Sequence, residues 1–203
     1  MKKYRDFIIL IIFTMGSQTL LYLLIKYFIH DYHLINSIIN IPLIKPFIYI
    51  YNSWYPFIFI CAFLIYKDNN RLFYAFILSL LLSALLAQIT FIIYPTIIER
   101  PTIYVNNITD LILNITYKLD NPPINCLPSM HCIYCFITVY YILKSNIKKK
   151  YLFNIYLLLI VLSTLFTNQH IIEDVIAALV YSIIAILMIN KFKLDSVIKK
   201  ITH

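Results

Sequence analysis

Six apolar stretches, each close to the length needed to cross a bilayer, limit what this chain can fold into. A hydrocarbon core about 30 Å thick takes roughly 20 helical residues per crossing, and backbone polar groups in lipid must find partners within their own segment. The stretches fall at 7–29, 47–66, 72–94, 128–145, 152–168 and 172–190. Hydrophobic residues make up 62% of the 203 and charged residues only 13%, far from the balance of an ordinary soluble domain. The expected fold class is therefore all-α, a polytopic membrane protein of six transmembrane helices. One domain over 1–203 uses up the chain. The first stretch is too long for a signal-peptide core and lacks a small-residue cleavage site, so it is expected to be retained.

Lysine and arginine set the expected orientation, because positive flanks stay on the cytoplasmic side. The patches Lys2, Lys3 and Arg5; Lys67 and Arg71; Lys144, Lys148, Lys149 and Lys150; and Lys191, Lys193, Lys199 and Lys200 alternate with the spans and go inside. Both termini are then cytoplasmic, and Lys26, Lys45, Arg100 and Lys118 belong to the outer half. The net charge of +8 reads as a topology signal and an attraction to anionic headgroups. Basic residues scattered over four membrane-flanking patches make no nucleic-acid face.

Four cysteines do not form a disulfide framework, and Cys132-Ile-Tyr-Cys135 within an apolar run reads as packing. Two outer segments carry helical spacing. Residues 31–45 place Ile35, Ile38 and Ile39 on one face, and the long loop 95–127 places Ile108, Leu111, Ile112 and Ile115 at i, i+3, i+4, i+7. Short interfacial helices are expected at both. Asn107 and Asn114 match the glycosylation acceptor pattern, which chance explains in a chain this rich in Asn, Ile and Thr.

The topology brings three polar stations to the outer ends of their helices: Arg100-Pro101, Pro128-Ser129-Met130-His131, and Thr167-Asn168-Gln169-His170 with Asp174. Each has a plain structural explanation alone. Pro128 suits a first helical position, Ser129 a cap, and His170 and Asp174 a structural pair four residues apart on one face. Together they suit phosphoryl transfer, which needs donors around the non-bridging oxygens, a nucleophile in line and an acid for the leaving oxygen. Arg100 can clamp the oxygens, and Ser129 with the following helix N-terminus can offer N–H groups. His170 oriented by Asp174 can attack, which leaves His131 as the proton donor.

These residues resemble the type 2 phosphatidic acid phosphatase superfamily, whose three motifs appear here as IYPTIIERP, PSMH and STLFTNQHIIED over residues 93–178. The resemblance implies a lipid phosphatase with a phosphohistidine at His170, Asp174 orienting it and His131 protonating the leaving group. It implies that Arg100, Ser129, the backbone near Met130 and Thr164 line the phosphate, with no cofactor and no metal. The implied substrate is a membrane lipid phosphate, met at the outer face of the plasma membrane. The sequence departs from the pattern at Ile93 and Thr164, where a lysine and an arginine are usual, and at Met130, where glycine is common. The STxxTxQH…DV pattern is more similar to the branch of inositol phosphorylceramide and sphingomyelin synthase relatives, so transfer to an acceptor alcohol stands beside hydrolysis.

Other classes fit less. A bis-histidine haem site would leave Arg100, Ser129 and Asp174 without a shared purpose. A transporter is expected to show repeated halves, and none is visible. A degenerate member that binds lipid phosphate without turnover stays open through the cations missing at positions 93 and 164.

Overall fold

The computed structural model describes residues 4–192; the expectations that rest on Lys2, Lys3, Lys193, Lys199 and Lys200 lie outside the described residues. Eight α-helices are described: α1 (Arg5–Phe28), α2 (Ile48–Asn52), α3 (Trp54–Asp68), α4 (Asn70–Ile93), α5 (Ile108–Leu119), α6 (Met130–Lys144), α7 (Lys150–Phe166) and α8 (Ile172–Phe192). A two-residue parallel ladder joins β1 (His33–Leu34) to β2 (Thr96–Ile97). Four helical segments are long and apolar enough to cross a membrane: α1, the run Lys45–Asp68, α4 and α8. The apolar helices α6 and α7 are shorter, at 15 and 17 residues. The chain is mostly α-helical, with a layout consistent with a polytopic membrane protein.

Each apolar stretch of the sequence forms a helix, but the second is not continuous. It runs as a 3-10 turn (Lys45–Phe47), α2 and α3, with a break at Ser53, whose hydroxyl donates to the Ile50 carbonyl at 2.6 Å. α6 is the hub and packs against α3, α4, α7 and α8. Its burial explains a composition apolar on nearly every face: Cys132, Ile133, Tyr134, Cys135, Ile137, Thr138, Tyr141 and Ile142 are all buried. Lipid tails are as apolar as leucine, so helices in a bilayer associate through close packing and interhelical hydrogen bonds, which small residues permit. Ala84 and Ala87 on α4 and Ala178 and Ala185 on α8 are fully buried. Ser182 on α8 bonds back to the Ala178 carbonyl at 2.7 Å, and Ser79 on α4 meets the Tyr141 hydroxyl on α6 at 2.8 Å. The opposite faces of α1 and α8 expose Ile8, Ile12, Phe13, Leu20, Leu23, Ile176, Ile183 and Leu187, the surface that lipid would cover.

The outer segments divide against expectation. Residues 108–119 form the amphipathic helix α5, which Asn107 caps by accepting from the Asp110 N–H at 2.9 Å. Residues 31–45 form no α-helix. Their backbone pairs elsewhere: His33 N–H donates to the Pro95 carbonyl and Ile35 N–H to the Ile97 carbonyl, both at 2.9 Å, and Ile44 N–H reaches the Phe166 carbonyl at 2.7 Å. Pro42 and Pro46 disfavour helical geometry at the residues before them. Tertiary partners outweighed an isoleucine spacing that too few residues supported.

Lys45 is also one half of a buried-end ion pair. Its ammonium lies 2.7 Å from Asp110, a side chain only 1% exposed that also accepts from the Asn106 N–H at 3.1 Å. The hydrogen bond from Lys45 leads the effects that hold the Asp110 carboxyl below its ordinary range. A carboxyl depressed by folding stabilises the fold above its unfolded pKa and loses that contribution as pH falls through the folded value. Lys45→Met is therefore expected to move the acid-unfolding midpoint in detergent to higher pH, read by circular dichroism, while leaving stability above pH 7 lowered by a pH-independent amount.

Candidate active site

The turn between α7 and α8 fixes His170. α7 closes in a Schellman motif: Asn168 takes a left-handed backbone at φ 49°, its N–H donates to the Leu165 carbonyl at 3.0 Å, and the Gln169 N–H donates to the Thr164 carbonyl at 3.0 Å. Asn is one of the few side chains that tolerate this region. The His170 N–H also reaches the Thr164 carbonyl, at 3.1 Å. Tyr117 from α5 clamps the same turn by donating to the Thr167 carbonyl at 2.6 Å, and burial pushes its phenol up to about 12.

Asp174 stands in the first turn of α8, where the helix dipole favours an anion. Its Oδ2 lies 3.1 Å from His170 Nδ1 and accepts from the Ile171 N–H at 3.1 Å, while its main-chain carbonyl accepts from Ser129 N–H at 3.2 Å. That last bond ties the start of α6 to α8. Ser129 is the α6 cap, fully buried, with Oγ accepting from Cys132 N–H at 3.3 Å. Pro128 sits one residue before the cap, outside the first helical position expected for it. Met130 and His131 open the helix, where no preceding turn supplies acceptors for their N–H groups.

His131 is set against three rings: Trp54 at 4.5 Å, Tyr51 at 4.9 Å and His170 at 5.6 Å between centroids. Its Nε2 is 3.1 Å from the Tyr51 hydroxyl. A cavity of about 190 Å3 runs beside both imidazoles, bounded by Met130, Asn125, Cys126 and Asp120 with Trp54 and Tyr134. A second hollow of about 370 Å3, between residues 35–41 and Glu99, also reaches His170.

Of the residues singled out from sequence, His131, His170, Asp174, Ser129 and Met130 meet here. Arg100 is adjacent, but its guanidinium is already engaged: Nη2 pairs with Asp120 Oδ2 at 2.7 Å, Nη1 donates to the Asp120 carbonyl at 3.3 Å, and the plane lies 5.2 Å from the Tyr117 ring centre. The Thr164 hydroxyl bonds to the Val161 carbonyl at 2.7 Å, so its visible contribution is the carbonyl that holds the turn. Ile93 is 75% exposed on the outside of α4, away from the group.

Several neighbours went unseen in sequence. Asp120 pairs Arg100, and Tyr51 and Trp54 cradle His131. Gln18 on α1, Gln88 on α4 and Asn125 line the first cavity, and each carries a buried polar atom with no partner. For Gln18 and Gln88 an amide within an apolar span was the available signal, since polar groups at such positions face cavities or partners.

At one end of the apolar helical bundle, then, a His–Asp pair faces a second histidine. Residues 33–188 match a family model, the PAP2 superfamily, and the chain belongs to that superfamily. No curated protein and no solved structure matches it.

Asn168→Gly is expected to preserve the turn, whereas Asn168→Val, with a branched side chain in the left-handed region, should cost about 1–2 kcal/mol. Thermal unfolding in detergent, with the glycine variant as reference, measures the difference.

Proposed function

We propose that this chain is a lipid phosphatase of the cell membrane, hydrolysing a lipid phosphate or pyrophosphate on the extracytoplasmic side through a phosphohistidine. The observation that carries the reading is the pairing of His170 Nδ1 with the buried Asp174 at 3.1 Å, opposite a second imidazole 5.6 Å away. With Nδ1 bonded to the carboxylate, Nε2 is the atom available to attack phosphorus. The nitrogen–phosphorus bond forms as the bond to the lipid alkoxide breaks, and His131 delivers a proton to that oxygen. Water then attacks the phosphohistidine, gives a proton back to His131 and releases phosphate with His170 restored. The open end of α6, with the N–H groups of Met130 and His131, is suited to the non-bridging oxygens. Arg100 adds positive charge to the same oxygens if phosphate competes successfully with Asp120.

A second reading, transfer of a phospho-headgroup to an acceptor alcohol as in the sphingomyelin and inositol phosphorylceramide synthase branch, is favoured by charge. Ile93 is turned outward, Thr164 is neutral, and the one arginine is shared with a carboxylate, so a monoanionic diester asks less of the site than a dianionic monoester.

His170→Ala is expected to abolish phosphate release from mixed lipid substrates, and His131→Ala to lower kcat about 100-fold or more. Acid quench of the wild type with labelled lipid should leave label on the protein, absent in His170→Ala. Unchanged turnover in His170→Ala would sink the mechanism, and a strong preference for monoesters would remove the diester reading.

A further inference from the structure

Cys126 has no part in the chemistry above, yet it stands against the pair that does. Its thiol, one imidazole nitrogen of His170 and a carboxylate oxygen of Asp174 all lie within 4.8 Å of one another. The three come from separate places in the chain: the 120–127 loop, the α7–α8 turn and the first turn of α8. Cys126 is 2% exposed and makes no disulfide. Its backbone N–H is held by the Thr96 hydroxyl at 3.2 Å, and the thiol sits 3.4 Å from the Pro123 carbonyl, so the sulfur is positioned from both sides.

A second observation points to a ligand. Asp174 is fully buried, and while Oδ2 serves His170 and the Ile171 N–H, Oδ1 has no hydrogen-bond partner. A buried carboxylate oxygen left without a donor is costly, and a cation is one of the few things that satisfies it. Arg100, the nearby fixed cation, is committed to Asp120.

From this the geometry points to a binding site for a thiophilic divalent cation, of the zinc or cadmium class, at Cys126, His170 and Asp174, where a bound ion ties up the imidazole and holds the enzyme off. Zinc bonds of about 2.0–2.3 Å put tetrahedral donors roughly 3.4 Å apart, so the set closes by about 1.4 Å at most. One thiol, one imidazole and one carboxylate is a donor set that favours soft or borderline ions over magnesium and calcium. Binding replaces the Cys126 S–H bond with a sulfur–metal bond and releases that proton to water. Because the metal must displace that proton, affinity falls as pH is lowered. Nothing is oxidised or reduced. Binding is a property of the three donors; only its inhibitory effect rests on His170 as the nucleophile.

The test is a titration of the full chain in detergent with cobalt(II) alone, followed by thiolate-to-cobalt charge-transfer absorption, with zinc then displacing the cobalt. The expected result is one equivalent bound, the band lost in Cys126→Ser, and at least a tenfold loss of zinc affinity in that variant. Cys61→Ser, which removes a buried thiol of α3, should leave the band intact, and unfolding midpoints show whether each variant is folded. In parallel, zinc should inhibit phosphate release from lipid, reversibly by chelator, while millimolar magnesium does not. Absence of the band in folded wild type, or a band that survives Cys126→Ser, overturns the site. Binding without inhibition in an active preparation overturns the switch. A preparation that shows the band but no turnover with any lipid speaks against the phosphatase reading and leaves the metal site standing.

Discussion

One buried carboxylate holds the polar end of this molecule together. Asp174 receives the His170 imidazole and the Ile171 N–H on its side chain and the Ser129 N–H on its main chain, so it joins the α7–α8 turn, the start of α8 and the start of α6. In a fold whose helices face apolar surroundings, a charge this deep persists only with partners, and its loss would leave the His170 imidazole and the Ile171 N–H unmatched. The positions of both histidines follow from that junction: one is bonded to the carboxylate, and the other begins the helix that its carbonyl anchors.

Further support is layered outside it. Tyr51 on α2 and Trp54 at the start of α3 hold His131 from either side of the break at Ser53. Arg100 and Asp120 close the long loop over Tyr117, and Tyr22 on α1 adds a hydrogen bond to the same carboxylate at 3.1 Å. The loop between the third and fourth apolar stretches is thus tied to α1, α5 and the His170 turn. It is part of the scaffold.

Much of this was legible in the residues themselves. Apolar run length placed the helical segments, four of which are long and apolar enough to cross a membrane, because composition and backbone satisfaction leave few alternatives, and α5 followed from spacing repeated over two turns. The convergence of Ser129, His131, His170 and Asp174 followed from counting which helix ends share a side. In residues 31–45 three isoleucines at helical intervals weigh less than the parallel ladder of 33–34 with 96–97, a long-range pairing invisible in local pattern. Arg100 was read as an open clamp because Asp120, 20 positions away, carries no motif that marks it as a partner. Thr164 holds the turn through its main-chain carbonyl, a role that no side-chain motif marks.

The short central helix has a consequence for the surrounding lipid. At 1.5 Å per residue α6 is about 22 Å long, several ångströms short of a typical hydrocarbon core, while the 24-residue α4 packed against it reaches about 36 Å. A bilayer meets such a mismatch by thinning locally or by drawing headgroups inward. His131 opens that short helix, so in a bilayer crossed by α6 the depth of the imidazole would follow the local membrane thickness.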